Sequence, residues 1–191
     1  MIMENKQQEQ MVTYTQAQGG NYRWVTVTTL LLAIGAILKL VTPSVGGITP
    51  NWMIAMYCIA INLTRPTLGQ AVGIGLVAGA VQIPLSKSAF PYGNLLSEPV
   101  GAIICALITH AAMNMTLGGY NLRPAVATFI STVASGLTFI TIMKLVLALP
   151  MSVFLYAMLP VVFAVAVVNM ILTQLLYFPA QKLFNSRGKS E

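Results

Sequence analysis

From residue 24 to residue 178 apolar side chains follow one another almost without a break, and the interruptions are short. They are TPSVGGITPNW at 42–52, an Arg65-Pro66 pair, SKSAFPYGN at 86–94, the stretch between 117 and 123, and Leu149-Pro150. Crossing a hydrocarbon layer of roughly 30 Å takes about 20 helical residues, and a helix satisfies its own backbone N–H and C=O groups inside that layer. The interruptions therefore divide the chain into six predicted helices, at 24–41, 51–64, 67–84, 97–117, 123–148 and 151–177. The second is short, bounded by Pro50 before it and Arg65-Pro66 after it, which suits a tilted or partly re-entrant helix. In the third, Gly69, Gly73, Gly75 and Gly79 make two GxxxG patterns that let another helix, in this chain or a partner, approach closely.

Composition places these helices in a membrane. The 191 residues are 57% hydrophobic and 7% charged, with a mean hydropathy of +0.78, far outside the range of soluble domains. The predicted fold class is all-α integral membrane: six transmembrane helices in one compact bundle. The Gln-rich residues 1–22 read as a disordered cytoplasmic tail and not as a cleavable leader, 23–178 as the membrane domain, and 179–191 as a basic cytoplasmic tail. In the last stretch, YFPAQKLFNSRGKS alternates aromatic and basic residues, as a short interfacial anchor does. Cys58 and Cys105 both lie within apolar runs and read as small buried hydrophobes, not as a disulfide or metal site.

Charge sets the predicted orientation. Six alternating spans put Lys6, Arg23, Arg65, Arg123, Lys182, Arg187 and Lys189 on one side and leave Lys39, Lys87 and Lys144 on the other. Basic residues stay cytoplasmic, so both the N- and C-termini are expected there. The net charge of +6 is then a topology signal and an attraction to anionic membrane lipid, and it calls for no nucleic acid.

The outward side gathers the unusual polar residues. Glu98 is the one acidic residue between Glu9 and Glu191. Ser97 and Pro99 on either side of it suit an N-cap and a first helical turn, where a carboxylate also meets the positive end of the helix dipole. A second role is to face a wet cavity and hold a ligand, because ionisable groups at membrane depth are costly and tend to pair, face water or bind something. The candidate substrate-binding set is Glu98, Asn94, Tyr92, Trp52, Asn51, Lys39 and Lys144. Glu98 would take an ammonium, Lys39 or Lys144 a carboxylate, and Trp52 with Tyr92 an aromatic or apolar body. Both lysines sit near helix ends, so snorkelling to the interface is the simpler alternative for each. His110 lies twelve residues beyond Glu98, roughly 18 Å along a helix, so a packing hydrogen bond is expected of it and not a shared site.

Enzymatic readings lack parts. One histidine and one embedded acid supply neither an HExxH zinc site nor a pair of catalytic carboxylates, and no GxxxxGK[ST] phosphate loop is present. No catalytic residue, metal site or cofactor is expected. A stand-alone secondary permease is an alternative, although the scarcity of embedded acids and the lack of an evident inverted repeat argue against it. A non-transport membrane assembly protein is another.

The run LLLAIGAILKLVTPSVGGITPNWMIAMYCIAINLTRPTLGQAVGIGLVAGA resembles the substrate-binding S-components of energy-coupling-factor (ECF) transporters. The order carries the likeness: an alanine-containing first helix, a Pro/Gly-rich outer loop, a short helix opening on Pro and a polar residue, an Arg-Pro turn, and a Gly-rich third helix. The continuation FPYGNLLSEPVGAIICALI looks most like the tryptophan-transport branch, and the resemblance covers about residues 28–108. It implies a prokaryotic cell-membrane subunit that captures a small molecule, a tryptophan-like amino acid or a water-soluble vitamin, from outside. It also implies partners: an ECF transmembrane scaffold subunit and two cytoplasmic ATPase subunits. Family members dock on the scaffold through an AxxxA pattern in the first helix. Here the nearest match is Thr29-xxx-Ala33 with Ala36 beside it, while Ile37 takes the place of a second alanine.

Overall fold

A computed structural model describes residues 22–43, 49–111, 115–117 and 120–186. Six helices cross one another in sequence: α1 (Arg23–Val41), α2 (Trp52–Thr64), α3 (Leu68–Leu85), α4 (Asn94–His110), α5 (Arg123–Val146) and α6. α6 is one long helix built from Met151–Val153, a π turn at Phe154–Met158, and Leu159–Ser186. Five of the six are long and apolar enough to cross a membrane; α2, with 13 residues, is the short one. A two-residue antiparallel pair, β1 (Thr116–Leu117) with β2 (Tyr120–Asn121), lies between α4 and α5.

The short helix is the central one. Met53 to Asn62 are all buried, so α2 is apolar around its whole circumference, as a helix is when protein surrounds it. α1, α3, α4, α5 and α6 all touch it. Its start is fixed by Asn51, whose side chain accepts from the Ile54 amide at 3.4 Å, and its end by Arg65, in the left-handed region at φ 48 just before Pro66. α3 opens with a capping box in which Thr67 and Gln70 each hold the other's backbone N–H. The two glycine pairs of α3 separate by face. A Cβ on Gly75 would stand 2.4 Å from the Pro99 Cα, and one on Gly79 2.5 Å from the Asn94 oxygen, whereas Gly69 and Gly73 have nothing within 4 Å. Gly75 and Gly79 thus press α3 backbone-to-backbone onto the first half of α4.

Two helices depart from the sequence pattern. α4 starts at Asn94 and not at 97, because Pro91-Tyr92-Gly93 forms a 3₁₀ turn that runs straight into it: the Asn94 amide and side chain both bond back to the turn, the latter to the Pro91 carbonyl at 2.7 Å. It also ends at His110, and Thr116–Leu117 of the predicted length belong to β1. Ser97 and Glu98 are therefore inside the helix, each 1% exposed, and Pro99 lies within it as well. The capping role expected for Ser97 and Glu98 is overturned. α6 continues through Pro179 to Ser186, so the described part of the segment expected to form a short interfacial helix or anchor, residues 177–186, belongs to the same helix. The loop expected at 42–52 lies partly outside the described residues, at 44–48, as do most of the N-terminal tail and the last five residues.

Candidate functional site

One end of the bundle holds a cavity of about 460 Å³, walled by the C-terminal ends of α1, α3 and α5 and the N-terminal ends of α2, α4 and α6. Its lining divides into two. Lys39, Asn51, Gln82, Asn94, Ser97 and Glu98 supply polar groups from the side of α1 to α4, while Phe139, Ile140, Met158, Val161, Val162 and Val165 supply apolar ones from the wall of α5 and α6, where Thr132 and Ser135 also line it. Lys87 and Ser88 also line it, from the loop after α3. The π turn of α6 belongs to this wall through Ala157 and Met158. Pro160 follows the turn and supplies no N–H, a common setting for a local widening of a helix.

The polar end is a connected network. The Glu98 Oε1 atom accepts from Asn51 Nδ2 at 3.0 Å and from Gln82 Nε2. Gln82 Nε2 also reaches Asn51 Oδ1 at 3.1 Å, and its Oε1 accepts from the Lys39 ammonium. Behind this layer, the Asn51 backbone N–H donates to Asn169 Oδ1 at 3.0 Å, and Asn169 Nδ2 donates to Thr132 Oγ1 at 3.3 Å. All six helices, α2 through its N-cap Asn51, are tied together in this way around one carboxylate. The second carboxylate oxygen, Oε2, is buried and takes no hydrogen bond of ordinary geometry among the described residues, although the Tyr57 hydroxyl stands beside the group. A carboxylate has about four lone-pair sites, so Glu98 retains acceptor capacity.

Of the seven residues expected to bind substrate, Glu98, Asn51, Lys39 and Asn94 line the cavity. Three do not. Trp52 donates its indole N–H to Thr42 Oγ1 at 2.9 Å and packs against a hydrophobic cluster drawn from α1, α2 and α6, joining the end of α1 to the start of α2. Tyr92 is 59% exposed, since the 3₁₀ turn places Gly93 inward against the Phe139 ring and leaves Tyr92 outside, tilted against Phe90. Lys144 lies in the last turn of α5, one turn above Ile140 and beyond the wall. His110 Nε2 hydrogen-bonds the Pro66 carbonyl at 2.7 Å, the packing role expected of it. Thr29 and Ala33 are exposed on α1 and Ala36 is half-buried there.

The sequence reading missed Gln82, Ser97 as a lining residue, Asn169 and Thr132, and it passed over the aromatic wall at Phe139. Gln82 in AVQIPL and Asn169 in VVNMIL carried a usable sign, an uncharged amide alone in an apolar run, which membrane helices tolerate when the amide has partners in the bundle.

An apolar helical bundle enclosing a cavity with an ionisable end fits a multi-pass membrane protein that binds a small molecule. Residues 21–185 match the family model for the tryptophan transporter TrpP, and the chain belongs to that family. It is accordingly a multi-pass protein of the prokaryotic cell membrane. The probable tryptophan transport protein of Bacillus subtilis (strain 168) is 30% identical over 130 residues, 66% of this chain and 72% of that protein. The probable tryptophan transport protein of Clostridium acetobutylicum is 25% identical over 168 residues, 85% and 94% of the two chains. No solved structure matches. The tryptophan-transport branch resembled by residues 28–108 is thus the family matched, and the match extends across α5 and α6.

Proposed function

We propose that the chain is the substrate-binding subunit of an ECF-type importer, taking up tryptophan or a close relative from outside the cell. It works by binding and not by catalysis, with an ECF scaffold subunit and two cytoplasmic ATPases supplying the driving force. The observation that carries this reading is the division of the cavity: a carboxylate and an ammonium at one end, Phe139 and aliphatic side chains along the other. An amino acid with a large apolar side chain presents the complementary groups, its ammonium toward Glu98, its carboxylate toward Lys39, and its ring along α5 and α6. Membership of the tryptophan transporter family supports the choice of ring.

The cavity opens outward in this reading. Arg23 donates to the Phe184 carbonyl at 3.3 Å, which brings the start of α1 and the end of α6 together at the opposite end of the bundle. Arg65, Arg123 and Lys182 belong to that end too, and in this reading the basic end, with the start of α1 and the end of α6, faces the cytoplasm. Calorimetry on the purified protein in detergent tests the proposal: tryptophan should bind saturably without ATP, and the protein should co-purify with a co-expressed ECF scaffold. Absence of tryptophan binding would sink the substrate reading, and uptake by vesicles holding this chain alone would sink the coupled one.

A further inference from the structure

Lys39 and Glu98 are opposite charges lining one small cavity, and they do not touch. Gln82 stands between them, its Oε1 accepting from the Lys39 ammonium and its Nε2 donating to Glu98. The amide is held in that sense by a third contact, Nε2 to Asn51 Oδ1 at 3.1 Å, and the side chain is 1% exposed, so little room remains to turn it over. Two unlike charges in a medium poorer than water attract strongly, and without an intervening group they would close on each other. A closed pair would satisfy each charge with the other and leave neither for a ligand.

We infer that Gln82 is a positioning residue that keeps Lys39 and Glu98 apart as two half-sites, so that the cavity selects a molecule carrying an ammonium and a carboxylate on neighbouring atoms. The inference rests on the proposal that the cavity takes an amino acid. Its physical basis is the neutral amide, which offers a cation an oxygen and an anion an N–H at once and so satisfies both ends without neutralising either. Lys39 has two further N–H donors, and Glu98 lines the cavity with acceptor capacity left on its carboxylate. A ligand lacking either charge would leave one half-site uncompensated, which is how a polar site rejects an incomplete substrate.

The test measures binding of tryptophan, tryptamine and indole-3-propionate to the purified protein, to Gln82→Leu and to the double variant Lys39→Met with Gln82→Leu. Wild type should prefer tryptophan over each analogue by about tenfold or more. Gln82→Leu lets Lys39 close on Glu98, and both tryptophan and tryptamine should weaken by about tenfold or more. Removing the lysine as well should free Glu98 and restore tryptamine to at least its wild-type affinity, a rescue that loss of packing would not produce. Should Gln82→Leu yield no folded protein, Gln82→Asn, shorter by one methylene and unable to bridge both charges, is read in the same way. Wild-type tryptophan binding with Gln82 variants unchanged, or no rescue of tryptamine in the double variant, overturns the inference alone. No binding of any of the three compounds by wild type overturns the proposed function and the inference together.

Discussion

Two carboxamides, Asn51 and Gln82, do for Glu98 what water does for an exposed carboxylate, each giving an N–H to the same oxygen. The side chain that receives them is 1% exposed. Glu98→Gln keeps an acceptor for both amides and removes the charge. Tryptophan affinity should therefore fall by about 10- to 100-fold, the loss expected for one charge-assisted hydrogen bond, while the unliganded melting temperature stays close to wild type. Calorimetry and a detergent thermal melt read the two effects separately; a large drop in melting temperature with normal affinity in the folded fraction would assign Glu98 to folding. Trp52 makes the contrasting case. Trp52→Phe loses the bond to Thr42 and should cost about 1 kcal/mol of stability while tryptophan affinity changes by less than about twofold, because the ring packs away from the cavity. Nothing in the local sequence distinguished Trp52 and Tyr92 from ligand-facing aromatics, since which way a ring turns is set by neighbours far along the chain.

At the scale of elements, the boundaries legible in the sequence are those with a local chemical cause. Thr67 and Gln70 at the start of α3, Asn51 after Pro50 at the start of α2, and Pro124 in the first turn of α5 all act through bonds or ring constraints within a few residues. The start of α4 was misplaced because two local signals compete, a Ser-Glu-Pro that suits a cap and a Pro-Tyr-Gly that starts a 3₁₀ turn. The packing of α3 against α4 decides it, since Gly79 meets Asn94 and Gly75 meets Pro99 across the same seam. Gly75→Ala should lower stability by about 1–3 kcal/mol, as overpacking against rigid backbone does, whereas Gly69→Ala should be neutral or gain up to about 1 kcal/mol from helix propensity. Thermal melts of the two variants in one detergent provide the comparison, and equal effects would contradict the packing.

At the scale of the whole molecule, the division of labour between the faces of α1 is the testable feature. Its inner face, with Leu31, Leu32 and Gly35, packs in the bundle, and Gly35 lies so close to α2 that an added Cβ would stand 2.9 Å from Met56. Its outer face carries Thr29 and Ala33, exposed beside Leu30 and Ile34, where small side chains let another helix approach. Ala33→Trp should leave tryptophan binding unchanged and abolish or greatly reduce co-purification with an ECF scaffold; retention of a full complex would place the docking surface elsewhere. Sparse charge made the six-helix membrane character of the chain readable, because a residue too costly to bury in lipid marks an end or a site.

The sequence by itself determined the membrane class, the six apolar segments and the singling out of Glu98 as an embedded acid, since each follows from a transfer cost that every residue carries alone. The tertiary structure decided which residues share the cavity. It turned Trp52, Tyr92 and Lys144 away, and it brought Gln82 and Asn169, 87 positions apart, into one network around Asn51 and Glu98. A hydrogen bond needs an angle and a distance between particular atoms, and only the crossing of helices from distant parts of the chain supplies them.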